Sequence, residues 1–247
     1  MTPRLTEWSV DAAGIATLTM CDAPRKNALS LDMAAELEER FAAIQQDETL
    51  KVLVLAGSPE FFSTGANRAV LDDLVTHRVR PRDLLLPRLV LDAPVPVIAA
   101  MAGHAIGGGL ALGICADITI VARESRYGAT FMRYGFTPGL GMTELLEYVM
   151  GPPLAHELLL TGRTCRGARF AGTGAFTHVV ARSEVASKAL AVARELAEKP
   201  RLPLVLLKTT LSRRKRELFE AARAHEHVMH EATFATPDVA RLIEELD

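Results

Sequence analysis

Three consecutive glycines, Gly107, Gly108 and Gly109, stand between two apolar runs too short to be helices. The upstream run, Val95–Met101, and the downstream one, Ile118–Val121, read as buried strands. Between the glycines and the second strand lie an apolar segment, Leu110–Cys115, and then Asp117. Glycines at a strand-to-helix turn let the backbone approach a ligand closely and leave N–H groups pointing outward. Such groups bind either a phosphate or a thioester oxyanion, and the pattern alone leaves both open. A phosphate loop of the GxxxxGK[ST] kind is excluded, because no Lys-Ser or Lys-Thr follows the glycines. A dinucleotide fingerprint fits poorly too, since the glycines are adjacent and no early βαβ unit with an acidic partner stands out.

A second glycine turn lies upstream. Val52–Ala56 reads as a buried strand and leads to Phe61-Phe62-Ser63-Thr64-Gly65-Ala66-Asn67. Two strand-then-glycine turns can each donate one backbone N–H to the same point, which is what an oxygen gaining negative charge requires. Two ordinary tight turns are the plainer alternative.

The 247 residues are ample for one large domain, or a domain with an appendage, and a sizeable core. A net charge of −2 argues against nucleic acid as the main partner. The basic run Arg213-Arg214-Lys215-Arg216 reads as a solvated helix face, with a docking patch for an acidic carrier protein as its functional alternative. Cys21, Cys115 and Cys165 share no CxxC or metal-type spacing, so reduced structural thiols and no metal site are expected. No signal peptide precedes Trp8 and no apolar run reaches membrane-spanning length. The expectation is a soluble cytoplasmic protein with no membrane partner.

In chain order, Leu5–Val10 and Ile15–Met20 read as a hairpin, and Ser30 caps a helix that runs to about Gln46. Asn67–Pro87 reads as a polar, irregular loop and Leu84–Leu91 as a short helix. Helices follow at Thr143–Met150, Leu154–Thr161 and Glu184–Glu198, with a strand at Phe176–Val180. From Lys199 onward the chain reads as helical in three pieces, Leu202–Ser212, Arg214–Phe234 and Pro237–Glu245. The fold class is α/β, and no strict internal repeat is visible.

FFSTGA followed by GHAIGGGLALGICADITI resembles the crotonase (enoyl-CoA hydratase/isomerase) superfamily. Cys21-Asp22-Ala23-Pro24-Arg25-Lys26-Asn27-Ala28-Leu29 is similar to that family's N-terminal acyl-carrier-binding turn. The resemblance implies a spiral of repeated β-β-α units over 1–198. It also implies a helical region over 199–247 that closes the site and aids assembly as a trimer or dimer of trimers. It places an oxyanion hole on the N–H groups of Ala66 and Gly108, and substrate contacts at Arg25, Lys26 and Ala28.

Hydratases of that family use two glutamates to activate water, and the matching positions here are Ala111 and Phe131. Neither exchanges a proton, so water chemistry should be lost while the hole remains. The string TFMRYGFTPGLGMT resembles the crotonase-like decarboxylases of polyketide β-branching cassettes, with Phe131 and Tyr134 in the implied pocket. MHEATF resembles the helix on which that group carries an active-site histidine, here His230. The implied reaction is decarboxylation of a 3-methylglutaconyl thioester carried on the phosphopantetheine of an acyl carrier protein, with no other cofactor. Those decarboxylases also carry a loop lysine after the first oxyanion turn, whereas this chain has no lysine between Lys51 and Lys188. Arg68, His77, Arg78 and Arg80 are the candidates to replace it. An isomerase or unusual hydratase acting on CoA esters, and an inactive scaffold of the same fold, are the alternative readings.

Overall fold

The structure, a computed structural model, describes residues 4–76, 78–79 and 85–245. Antiparallel β1 (Thr6–Val10) and β2 (Ile15–Met20) open the chain as the expected hairpin. Ser30 caps α1 (Leu31–Gln46), its Oγ accepting the Met33 N–H at 3.2 Å. Met33, Leu37, Phe41 and Ile44 then bury one helical stripe.

Three strand pairs follow, and each divides itself between two sheets. β3 (Val52–Ala56), β5 (Val97–Met101) and β7 (Ile118–Ala122) lie parallel in a six-stranded sheet of order β1-β2-β3-β5-β7-β10, where β10 is His178–Val180. β4 (Phe61–Ser63), β6 (His104–Ile106) and β8 (Arg126–Gly128) lie parallel in a second sheet, closed antiparallel by β9 (Thr164–Arg166). The repeat absent from the sequence is therefore present in the topology: strand to the large sheet, strand to the small sheet, then helix. It is the expected spiral of β-β-α units. Large-sheet strands buried on both faces carry near-continuous apolar runs such as VLVLA and VIAAM.

Four sequence expectations are corrected. Arg68–Val75 is helix α2 and not irregular loop: Asn67 Oδ1 caps it through the Val70 N–H, and Val70, Leu71 and Leu74 are buried beneath its polar surface. After α3 (Leu86–Asp92) and α4 (Gly108–Ile114), the chain forms α5 (Met142–Met150), α6 (Pro152–Thr161) and α7 (Val185–Ala197). α8 (Arg201–Phe234) is one unbroken helix of 34 residues, because Ser212 is buried on its core face and donates to Asp117 (3.3 Å) instead of ending it. The basic run on α8 is no single solvated face. Lys215 is half-buried, with Nζ donating to the carbonyls of Ile114 (2.8 Å) and Ala116 (2.7 Å), and desolvation pushes its pKa down. It satisfies the carbonyls left open at the end of α4. Arg216 pairs with Asp92 at 3.0 Å, so only Arg213 and Arg214 face solvent. Finally, the strand expected over Phe176–Val180 is limited to β10. α9 (Pro237–Glu244) is the last element among the described residues and packs on α2.

Asp117 ties α8 to the large sheet. It accepts from the Val97 N–H (2.7 Å) and pairs with Lys208 Nζ (2.9 Å), whose side chain is only 1% exposed. Removing one partner of a buried pair strands the other charge, so Asp117→Ala is expected to cost about 3–5 kcal/mol in urea unfolding. A loss under about 1 kcal/mol would place the pair among weak surface bridges. Cys115 and Cys165 are buried free thiols and Cys21 is partly exposed. Burial pushes the Cys115 thiol up to about 12, which fits inert packing. No helix among the described residues is long and apolar enough to cross a membrane.

Candidate active site

The glycines of the two turns bring their backbones into contact. Gly65 adopts φ +78°, and a Cβ there would lie 2.8 Å from the Ile106 carbonyl and 2.9 Å from the Gly108 nitrogen. Only glycine permits that conformation and that approach together. At Gly107, φ +52° and a bond from its N–H to the Gly128 carbonyl (2.8 Å) set the start of α4. Gly108 is then the first helical residue, whose N–H has no helical acceptor. Among the described residues, neither the Ala66 nor the Gly108 N–H is spent on another main-chain group.

Both residues line a cavity of about 360 Å³. The N-terminal turn braces it. The Leu29 N–H donates to the Gly65 carbonyl (2.8 Å), and buried Asn27 donates through Nδ2 to the Phe61 carbonyl (2.9 Å). This holds Lys26 and Asn27 at φ 55° and 51°, with Lys26 Nζ 5.7 Å from the Phe61 ring centre on the cavity wall. Leu71 and Leu74 of α2 also line the cavity, as do Phe131, Tyr134 and Phe136 from the turn after β8. Tyr134 stacks on Phe136, and Phe136 on Phe234.

His230 completes the wall from α8, its side chain 5% exposed. Its Nε2 lies 2.9 Å from the Thr137 carbonyl, which can only accept, so Nε2 carries the proton in the neutral ring. Nδ1 is buried without a hydrogen-bond partner. Burial pulls the His230 pKa below the usual histidine range, with the backbone bond to Thr137 opposing.

The cavity wall contains no aspartate or glutamate among the described residues. Phe131 is on it, while Ala111 is buried in α4 and is not among the lining residues. Among the described residues, the ionisable or cationic side chains on the wall are Lys26, Arg68, Tyr134 and His230. No cluster of three or more His, Cys, Asp or Glu side chains among the described residues could hold a metal.

Of the residues expected at the site, Lys26, Ala66, Gly108, Phe131, Tyr134 and His230 are brought together. Arg25, Ala28 and Arg78 are not, and each for a visible reason. Arg25 turns to Asp22 (3.0 Å), Ala28 points into the core with both peptide groups hydrogen-bonded, and Arg78 pairs with Asp73 (2.7 Å) on the surface. Among the candidates to replace the loop lysine, Arg68 lies on the wall, and His77 and Arg80 fall outside the described residues. Two features escaped sequence reasoning. Leu140 on the wall has φ +62°, and buried Glu226 lies one helical turn before His230. The spacing of 226, 230 and 234 along one face was the available signal.

The family model described as enoyl-CoA hydratase/isomerase matches residues 11–245. The bacillaene synthase decarboxylase PksI of Bacillus subtilis is 39% identical over 246 residues, covering 100% of this chain and 99% of that protein. A solved structure described as belonging to a dehydratase/decarboxylase enzyme couple involved in polyketide β-branching superposes with a TM-score of 0.95 at 38% identity, covering 98% of this chain and 99% of that one. The ECH2 decarboxylase domain of CurF from Lyngbya majuscula superposes with a TM-score of 0.91 at 35% identity, covering 98% of both chains.

Proposed function

The chain belongs to the enoyl-CoA hydratase/isomerase family, and from that membership we propose that its site decarboxylates an acyl thioester in polyketide β-branching, in place of hydrating one. The observation that carries this reading is a cavity with two unspent peptide N–H groups and no carboxylate on its wall among the described residues. Such a site holds an enolate oxygen and has nothing to activate water.

The substrate on this reading is a 3-methylglutaconyl-type thioester delivered on the phosphopantetheine arm of an acyl carrier protein, with no further cofactor. The thioester oxygen sits between the Ala66 and Gly108 N–H groups. Lys26, on the wall beside the N-terminal turn, meets the arm. The distal carboxylate meets Arg68 or the protonated Nδ1 of His230. The C–C bond to the carboxylate breaks, carbon dioxide leaves, and the electron pair spreads into a dienolate whose oxygen the two N–H groups hold. The His230 Nδ1–H then delivers a proton to carbon, the ring returns to its neutral Nε2–H form, and solvent restores the proton. One proton is consumed per turnover. The aromatic and aliphatic wall favours the step, because charge leaves a carboxylate poorly solvated there. The 199–247 region supplies His230 and Phe234 to the wall, and on this reading also supports a trimer or dimer of trimers.

Incubation with 3-methylglutaconyl thioester, on carrier protein and on CoA, tests the proposal by mass spectrometry. Loss of carbon dioxide from the carrier-bound form is expected. Water addition to an enoyl thioester, or no reaction with either form, would overturn it.

A further inference from the structure

Residues 137–143, Thr-Pro-Gly-Leu-Gly-Met-Thr, run from the aromatic wall into the first residues of α5 and are held from α8 at both ends. At the first end is the Thr137 carbonyl on His230 Nε2. At the other is Glu226, 3% exposed, which uses both carboxylate oxygens. Oε2 accepts from the Gly141 N–H at 2.8 Å, and Oε1 from the Thr143 N–H at 3.0 Å and the Thr143 hydroxyl at 2.9 Å.

What lies between those anchors is tightly constrained. A Cβ on Gly139 would come within 2.6 Å of His230 Cε1, so this residue lies close against the imidazole. A Cβ on Gly141 would come within 2.5 Å of Phe219. Between them Leu140 is held at φ +62°, in the left-handed region that favours glycine. Its Cδ1 stands 3.0 Å from where a Cβ on Gly108 would be. The strained leucine thus packs on the cavity-lining helical residue whose N–H has no main-chain acceptor among the described residues. Strain of this kind persists only where surrounding contacts over-determine it.

We infer that Glu226 is a positioning residue for this site: it holds the 137–143 loop in the shape that seats Leu140 on Gly108 and aims the Thr137 carbonyl at His230. A buried carboxylate accepting from three donors fixes the neighbouring peptides more firmly than neutral groups do. The role is distinct from general acid or base work, because both oxygens of Glu226 are occupied by the protein and Glu226 is absent from the cavity wall.

Glu226→Gln is the test, since an amide must turn its NH2 toward either the Gly141 or the Thr143 N–H and break one arm. Two measurements are made on folded protein. The first, ¹⁵N NMR of histidine-labelled protein without substrate, with His230 assigned by difference from His230→Gln, should show the Nε2–H tautomer in the parent and a mixture in the variant. The second is steady-state decarboxylation, and this arm alone rests on the decarboxylase reading. There kcat should fall about ten- to a hundredfold with KM within about twofold, as for misplaced catalytic groups. An unchanged tautomer in folded Glu226→Gln overturns the proposal whatever the kinetics, and so does a shifted tautomer with kcat unchanged. If the parent itself lacks decarboxylase activity, the tautomer shift decides alone, and that failure belongs to the functional reading. If Glu226→Gln does not fold, Thr143→Val replaces it. This variant removes one of the three bonds, and the same tautomer shift with a kcat loss of about fivefold is expected. No change in either measurement overturns the proposal.

Discussion

Replacing Gly108 by proline is expected to lower kcat for decarboxylation by about 10²–10³-fold, the usual cost of one oxyanion-hole donor. Gly108 is the first residue of α4, and proline is tolerated at that helical position because its missing N–H has no helical acceptor. The substitution therefore deletes the N–H without breaking the helix. It also adds atoms, since a Cβ at residue 108 would stand 3.0 Å from Leu140 Cδ1 and 3.3 Å from Leu29 Cδ1. Both neighbours are the far ends of flexible side chains and can give by a few tenths of an ångström.

Gly108→Ala separates the two effects, for it carries the Cβ and keeps the N–H. Alanine should cost less than about tenfold, a crowding effect of roughly 1 kcal/mol. Proline should cost far more in kcat. Equal losses in the two variants would mean that crowding accounts for everything and that the Gly108 N–H donates nothing. Equal circular dichroism spectra and melting temperatures for the two variants would confirm that the comparison is made between folded proteins.

The parts of this fold legible in the sequence are those whose physics is local. VLVLA, VIAAM and ITIVA are continuous apolar runs and read as strands because each is buried on both faces. Their partners β4, β6 and β8 have three residues apiece, too few to show an alternation, so the second sheet was invisible while the first was not. α2 hid for another reason. Arg68, Asp72 and Asp73 mask a stripe of only Val70, Leu71 and Leu74. Lys215 and Glu226 were missed because a charge on an amphipathic helix is ordinarily solvated, and only tertiary structure shows that α8 turns these two inward. The site divides along the same line. Gly65 and Gly108 announce themselves as glycines in strand–turn motifs. Whether Arg25 or Lys26 reaches the cavity depends on Asp22 holding the first of them away, which no spacing rule contains.

His230→Ala is expected to lower kcat/KM by at least about tenfold through lost proton transfer. The pH profile of the parent protein should show the same group. In the free protein, burial holds the His230 pKa below its ordinary value of about 6.5, so the imidazolium becomes scarcer as pH rises through and above that point. The proposed reaction needs the imidazolium, first as partner to the carboxylate and then as proton donor to the dienolate. Parent kcat/KM should therefore fall by about tenfold per pH unit between about pH 7 and 8.5, and His230→Gln should flatten that dependence. Stability runs the opposite way. A histidine whose folded pKa is depressed favours the native state above the unfolded value, and that contribution is lost as pH falls from about 6.5 toward the folded pKa. Acid thus raises the reactive fraction while weakening the fold, and an activity maximum on the acid side of neutrality follows from the two trends together. Measurement of kcat/KM for both proteins across this range, with melting temperatures at each pH, separates the two effects. A flat parent profile, or a His230→Ala rate within about twofold of the parent, would remove His230 from the proton transfer and leave the two peptide N–H groups as the whole of the machinery.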